Sequence, residues 1–298
     1  AVREAVLEHL REAIRHGDYE GVFLDRIRYP SPAADPGRLL ACFCDDCQRV
    51  ALSEGVDLAD ARRRIQALLG TPEGVRAFVR ALLDPLSPPS ADPNLAALRM
   101  VLDFRARSVT RLVQAAADVV HAEGLAVGLD CFSPALTTMV GQDLGALDPH
   151  CEWIKIMSYG HALGPSGLPF EILDLAGWLI GHGVADGGGM CDESRALQVL
   201  SLASGLPLPS SRDALRDRGL VPAALVTEVQ RARAAGVRAL LAGIELVEIA
   251  GLTHLHDAQI EADLRAFRAA GAGGLVLSWD LWHIPLERLE MIRRIWGG

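Results

Sequence analysis

The chain has 298 residues, half of them hydrophobic, and a formal net charge of −9, with an isoelectric point of about 5.5. That length supports one large core, in the range of single-domain α/β barrels. An acidic surface repels phosphate backbones and argues against a nucleic-acid partner, and no apolar run reaches the roughly 18 residues that a membrane span needs.

Residues 1–16 carry Val2, Val6, Leu7, Leu10 and Ile14 at helical spacing, closed by His16 and Gly17. A buried strand follows from Gly21 to Ile27, ending in a Tyr29-Pro30 loop. A long excursion, about 31–122, predicts helices near 46–68, 72–84 and 94–123, with Pro85, Pro88, Pro89 and Pro93 as breakers between the last two. Leu125–Phe132 reads as the second strand, stopped by Ser133-Pro134. A short helix near 138–146 leads to a third strand, Trp153–Tyr159. Helices near 170–183, 192–204 and 222–235 precede a fourth strand, Val237–Glu245. A helix over about 256–270 and a fifth strand, Gly274–Asp280, come before a last helix near 286–296. The Gly187-Gly188-Gly189 run follows a helix and reads as a loop.

Strands alternating with helices imply right-handed βαβ units and a parallel sheet, and strands that are nearly continuous apolar runs are buried on both faces. No glycine-rich phosphate fingerprint follows any strand, and polar residues close each one, which favours a TIM-type barrel over a doubly wound sheet. Five strands do not close an eight-stranded barrel. The chain starts at Ala1 rather than Met, so we expect about three upstream βα units, with the visible strands equivalent to four through eight of one (β/α)8 domain over residues 1–298. Localisation, cytoplasmic or secreted, stays open.

In such a barrel the last inward residues of the strands face the substrate. Here they are Asp25, Asp130, the Lys155-Met157-Tyr159 series, Glu245, and Ser278 with Asp280, flanked by Trp279 and Trp282. Of the 29 basic residues a single one, Lys155, is lysine. Each residue alone reads equally well as a solvated or salt-bridged loop position. Together, charges that end apolar strands are costly unless paired, and a ring of acids, aromatics and one lysine suits sugar chemistry. Asp25 and Glu245, on opposite sides of the mouth, are the expected catalytic pair for a glycosidic bond. Arg28, Tyr29, Asp130, Lys155, Tyr159, His161, Trp279, Asp280 and Trp282 make the expected substrate-binding set. Two other readings remain open: a non-catalytic carbohydrate-binding barrel, and a lyase or aldolase using Lys155 as a Schiff base. Glu171 reads either as a site residue or as an acid in the first turn of a helix.

At these residues the chain resembles the bacterial glycoside-hydrolase-like barrels. The stretches that carry the likeness are Phe23–Pro30, Phe104–Thr110, Gly128–Pro134, Met157–Gly160 and Ala242–Glu245. The resemblance implies hydrolysis of a polysaccharide or glycoside, with the family's acid carried over onto Asp25 and no cofactor required for the chemistry.

Six cysteines are too few for a disulfide scaffold of this length, yet three crowd together as Cys42, Cys44 and Cys47. The cluster is similar to one in family 42 β-galactosidases, where a Cys-x-Cys-x-x-Cys run after strand four joins a fourth cysteine on a structural zinc. That resemblance implies zinc on Cys42, Cys44 and Cys47, with a fourth ligand from upstream, from Cys131 or from a histidine. Reduced, metal-free thiols are the alternative. Leu24-Asp25 stands where that family has Asn-Glu, so the likeness concerns architecture and not β-galactosidase activity.

Overall fold

A computed structural model describes residues 2–33, 35–40, 42–84, 91–183 and 192–297. Pro85, Pro88, Pro89, the Gly187–Gly189 loop and Cys191 lie outside the described residues. In chain order the elements are α1 (Val2–Arg15), β1 (Gly21–Leu24), α2 (Asp45–Ser53), α3 (Leu58–Leu68), α4 (Pro72–Leu83), α5 (Pro93–Ala122), β2 (Ala126–Cys131), α6 (Leu144–Leu147) and β3 (Trp153–Ile156). There follow α7 (Leu168–Gly181), α8 (Glu193–Ser204), α9 (Arg212–Arg218), α10 (Pro222–Ala234), β4 (Leu240–Glu245), α11 (Asp257–Ala269), β5 (Gly274–Ser278) and α12 (Leu286–Trp296).

All five strands are parallel and lie side by side in sequence order, β1-β2-β3-β4-β5. That order has no reversal, and therefore no switch point of the kind that defines a doubly wound sheet. Right-handed crossovers that always step the same way put their helices on the same face. The result is a half-barrel: five parallel strands curled with helices around them.

The two sides of each strand follow from the period of two. Leu24, Val127, Leu129, Ile154, Ile156, Leu240, Ala242 and Ile244 pack outward against Leu7, Val113, Val120, Val229, Leu264 and Phe267 from the helices. The alternate residues, including Phe23, Gly128, Trp153, Lys155, Leu241, Gly243 and Glu245, line the inner face. Phe23 and Trp153 stack there with ring centroids 4.9 Å apart, across the intervening β2 residue Gly128. A Cβ on Gly128 would lie 2.2 Å from the Trp153 ring, so only glycine lets the indole lie flat over the neighbouring strand.

A second core forms among α3, α4, α7 and α8, with Ile65, Phe78, Leu82, Leu175, Leu179 and Leu200 buried in it. The 30-residue α5, about 45 Å long at 1.5 Å per residue, serves both. Its first half gives Leu98, Val101 and Phe104 to the helical core, and its second half gives Val113, Ala117 and Val120 to the core behind the sheet. The excursion after β1 is thus a helical layer tied to the barrel by one helix.

Local chemistry sets the boundaries. Asp57, Thr71, Asp92, Asp192 and Ser211 cap α3, α4, α5, α8 and α9 by accepting a backbone N–H. Pro72, Pro93 and Pro222 open their helices in the first turn. The helix expected over 46–68 is two helices, because Gly55 adopts φ +77° and turns the chain between them. The short helix near 138–146 is a 3-10 turn, Thr137–Val140, plus α6, and α9 escaped the sequence reading. β1, β2, β3 and β5 end earlier than expected, so Asp25 and Tyr159 lie just beyond β1 and β3, while β4 ends at Glu245 as expected but starts only at Leu240.

Candidate active site

Two clusters of buried ionisable groups lie at the C-terminal ends of the strands. In the first, Lys155 on β3 places Nζ 2.9 Å from Asp130 Oδ2 on β2 and 2.8 Å from its other oxygen. The ammonium also donates to Tyr159 Oη at 2.7 Å, and Tyr159 Oη lies 2.8 Å from Ser278 Oγ at the end of β5. Asp130 and Lys155 are paired in the ladder register, which brings the charges together. Gly243 makes the room: a Cβ there would lie 2.6 Å from Lys155 Cε and 3.2 Å from the Tyr159 ring. Burial pulls the Lys155 pKa down, but Tyr159 and Asp130 more than offset that and hold it above the ordinary value. Lys155 is therefore a fixed cation.

The second cluster centres on His161, in the loop after β3. Its backbone N–H donates to Glu245 Oε1 at 2.5 Å, and its ring Nε2 lies 2.7 Å from Asp263 Oδ2 on α11. Ring Nδ1 lies 3.1 Å from the Arg218 carbonyl oxygen. A carbonyl only accepts, so Nδ1 carries a proton, and the carboxylate at Nε2 favours a second. Burial lowers the His161 pKa, while Asp263 and Glu245 raise it further, to a net value above the ordinary one. Glu245 is 2 % exposed, and burial pushes its carboxyl up to about 7.

Asp25 belongs to neither cluster. It is half exposed, at 50 %, with Arg26 Nε 3.8 Å away, and it acts electrostatically on both Asp130 and Arg28. Arg28 lies with its guanidinium 4.6 Å from the Phe132 ring centroid and donates to Ser166 Oγ at 3.1 Å. Glu171 accepts from Ser31 Oγ at 2.5 Å and from the Ser166 N–H at 3.0 Å. Glu171 thus joins the loop after β1 to the start of α7, beside Arg28.

The expected substrate set divides. Asp130, Lys155 and Tyr159 come together, and Trp279 joins them, its ring 5.6 Å from that of Tyr159 and 45 % exposed. Arg28 and Asp25 stand beside them. His161 sits behind them, between two acids. Tyr29 instead stacks under Arg105, whose guanidinium is 4.2 Å from its ring centroid. Asp280 closes its own turn, accepting from the Trp282 N–H at 3.1 Å and pairing with His283 at 2.9 Å, while Trp282 is 93 % exposed.

Asp263 and Glu228 escaped the sequence reading. Asp263 sits in the apolar stripe of α11, between Ile260 and Leu264, and an acid inside such a stripe is the signal that marks it. Glu228, fully buried on α10, accepts from the Ala135 N–H at 3.0 Å and from Ser133 Oγ, and so holds the loop after β2.

The Sγ atoms of Cys42, Cys44 and Cys47 lie within 4.8 Å of one another, with Cys42 and Cys47 3.1 Å apart. Sulfurs on a tetrahedral zinc stand about 3.8 Å apart, so small rotations fit three of them to one ion. Cys44 is the N-cap residue of α2 and Cys47 lies in its first turn; hydrogen bonds from Cys47 lower the Cys44 thiol, while burial and the two neighbouring thiols push Cys47 up to about 12. Cys131, one of the fourth ligands considered, does not join the cluster. It points outward from β2 into the core behind the sheet.

No family model and no curated protein matches the chain. Among solved structures, a chitinase from Chromobacterium violaceum is similar at 13 % identity, over 98 % of this chain and 95 % of that one, with a TM-score of 0.36. An overlap that low carries no argument about activity. No helix among the described residues is long and apolar enough to cross a membrane.

Proposed function

We propose that the protein is a glycoside hydrolase whose substrate lies at the C-terminal ends of these strands, the five strands forming a continuous arc of a (β/α)8-type barrel. The observation that carries this reading is the cluster of Asp130, Lys155 and Tyr159 with Trp279 against it, and the half-exposed Asp25 near enough to act electrostatically on Asp130. It joins an exposed carboxylate, a fixed cation and an open aromatic face at one mouth, the combination that a pyranose ring and its hydroxyls require. Asp25 is assigned as base or nucleophile. Glu245, with a carboxyl that keeps its proton until about pH 7, is assigned as the acid. Asp130 and Lys155 orient sugar hydroxyls.

The test is turnover of aryl glycosides and of a polysaccharide panel by the full chain and its variants. Asp25→Asn and Glu245→Gln are each expected to lower turnover by about 100- to 10,000-fold. Full retained turnover in both overturns the assignment. One observation favours a second reading, carbohydrate binding without chemistry: Glu245 is almost wholly buried and already engaged by the His161 N–H. Saturable sugar binding with no turnover in the wild-type chain supports that reading. The Schiff-base reading has less support than either of these, since Tyr159 and Asp130 hold Lys155 above its ordinary pKa and a protonated amine is not a nucleophile.

Cys42, Cys44 and Cys47 are the residues that would hold a zinc ion, whose chemistry would be that of a structural cross-link between the loop and α2. Metal content of the purified chain is expected at about one zinc per chain from that stoichiometry, falling on replacement of all three cysteines by serine.

A further inference from the structure

Behind the mouth, the His161 ring is held on three sides. Nδ1 lies 3.1 Å from the Arg218 carbonyl oxygen, which also accepts from Gln259 Nε2 at 3.1 Å, and Nε2 lies 2.7 Å from Asp263 Oδ2. Gly219 closes the third side. It adopts φ +66°, and a Cβ there would lie 2.3 Å from His161 Nδ1 and 2.4 Å from the Gly160 carbonyl oxygen, so only glycine lets the end of α9 pass so near the ring.

His161 is 6 % exposed and Asp263 3 %. Stability alone does not account for such a pair, because apolar side chains of the same volume are often as stable as a buried ion pair. The pair reaches the mouth through the His161 main chain, whose N–H donates to Glu245 Oε1. A neutral carboxyl accepts best at its carbonyl oxygen, so with Oε1 taken by that N–H the Glu245 proton sits on Oε2.

The groups around Glu245 come from every element packed on the end of β4. His161 stands in the loop after β3, and Asp263 on α11. Arg288 on α12 donates to the carbonyl of the next residue, Leu246, and pairs with Asp257. Ser278 on β5 is the neutral partner of Glu245 in the ladder. A buried carboxyl gives up its proton only where something meets the charge left behind. Burial holds the Glu245 proton in place, the His161 charge pulls the other way, and Asp263 opposes that pull more weakly.

We propose that His161 and Asp263 are positioning residues for Glu245: Asp263 holds the imidazole as a cation, and His161 meets, with its N–H and its charge, the carboxylate that Glu245 becomes on acting as the acid. Their role presupposes the glycosidase reading. In that step the Oε2 proton passes to the glycosidic oxygen, and the C–O bond breaks with its electron pair on that oxygen, which departs as an alcohol. Asp25, or water deprotonated by it, supplies the new pair at the anomeric carbon, and Glu245 is left anionic beside an imidazolium.

Two measurements on the full chain test this. The first is nitrogen NMR with isotope-labelled histidine at about pH 6.5, the ordinary midpoint of the side chain. The His161 ring is expected to be mainly doubly protonated there, and mainly neutral in Asp263→Asn. A mainly neutral ring in the wild-type chain, with the proton on Asp263 instead, overturns the proposal whatever the variants do.

The second is turnover of dinitrophenyl and methoxyphenyl glycosides of glucose, galactose and N-acetylglucosamine. A dinitrophenolate leaves without a proton and a methoxyphenolate needs one. His161→Gln keeps the backbone N–H and loses the charge. At about pH 6 it is expected to slow the methoxyphenyl substrates by about 10-fold and the dinitrophenyl ones by less than about 3-fold, whereas a structural role would slow both alike. The kcat/KM limb set by Glu245 is expected to move to higher pH in the same variant. Equal losses on the two kinds of substrate, or an unmoved limb, overturn this proposal alone. No hydrolysis of either kind by the wild-type chain overturns the glycosidase reading and this proposal with it.

Discussion

The two buried clusters at the strand ends differ in charge balance although they lie on neighbouring strands. Around Lys155, one cation meets one carboxylate, and Tyr159 and Ser278 extend the chain of hydrogen bonds to β5. Around His161, one imidazole serves two carboxyls, and the surplus acid appears as a Glu245 pKa raised by burial to about 7. A balanced pair locks its charges in place; an unbalanced one keeps a proton that can move near neutral pH. The first cluster therefore positions, and the second titrates.

The largest expected effect breaks the balanced pair. Lys155→Met leaves Asp130 buried and unpaired and is expected to cost about 3–5 kcal/mol in denaturant unfolding, with much of the loss recovered by adding Asp130→Asn. No recovery in the double variant would show that packing, not charge, sets the cost.

Next comes the pH response of the unbalanced cluster. The folded Glu245 pKa of about 7 lies above its ordinary 4.5, so across that window the native chain holds a proton that the unfolded chain has released. Stability is therefore fully present below about pH 4.5 and falls as pH rises through 7, by an amount on the order of 3 kcal/mol for this group. Glu228, also raised to about 7 by burial, acts in the same direction. Thermal unfolding against pH is expected to flatten partly in Glu245→Gln and further with Glu228→Gln added. An unchanged slope in the double variant would remove both groups as its source.

A smaller effect tests the space around Lys155. Gly243→Ala drives a methyl into Lys155 Cε, 2.6 Å away, and the Ile156 carbonyl, 2.9 Å away, and is expected to cost about 1–3 kcal/mol by overpacking. The smallest stability change belongs to Asp25→Asn, since its half-exposed carboxylate holds nothing together. Unfolding is expected to shift by less than about 0.5 kcal/mol while turnover collapses.

Much of this was legible in the sequence because strand and helix periods differ so clearly. All five strands and their parallel order follow from the apolar runs, and the facing of Asp130 and Lys155 follows from parity within β2 and β3. What periodicity does not carry is where loops fold back. Tyr29 is turned under Arg105 by the excursion, and Asp280 is taken up by its own turn with His283, neither of which strand parity encodes. Asp263 lies about 100 residues from His161 in the chain, and only the packing of α11 against the loop after β3 joins them. α9 was missed because seven residues with three arginines make a weak helical pattern, although Ser211 caps it.

A sheet wound in one sense also has two rims. Among the described residues β1 and β5 each pair on one side only, so these two edges are where further parallel strands of a closed barrel would join. Those edges are short, four residues on β1 and five on β5, and β1 runs directly into the charged Asp25-Arg26 pair. Each edge therefore gives a joining strand only a short ladder, and on β1 the charged pair marks where that ladder stops.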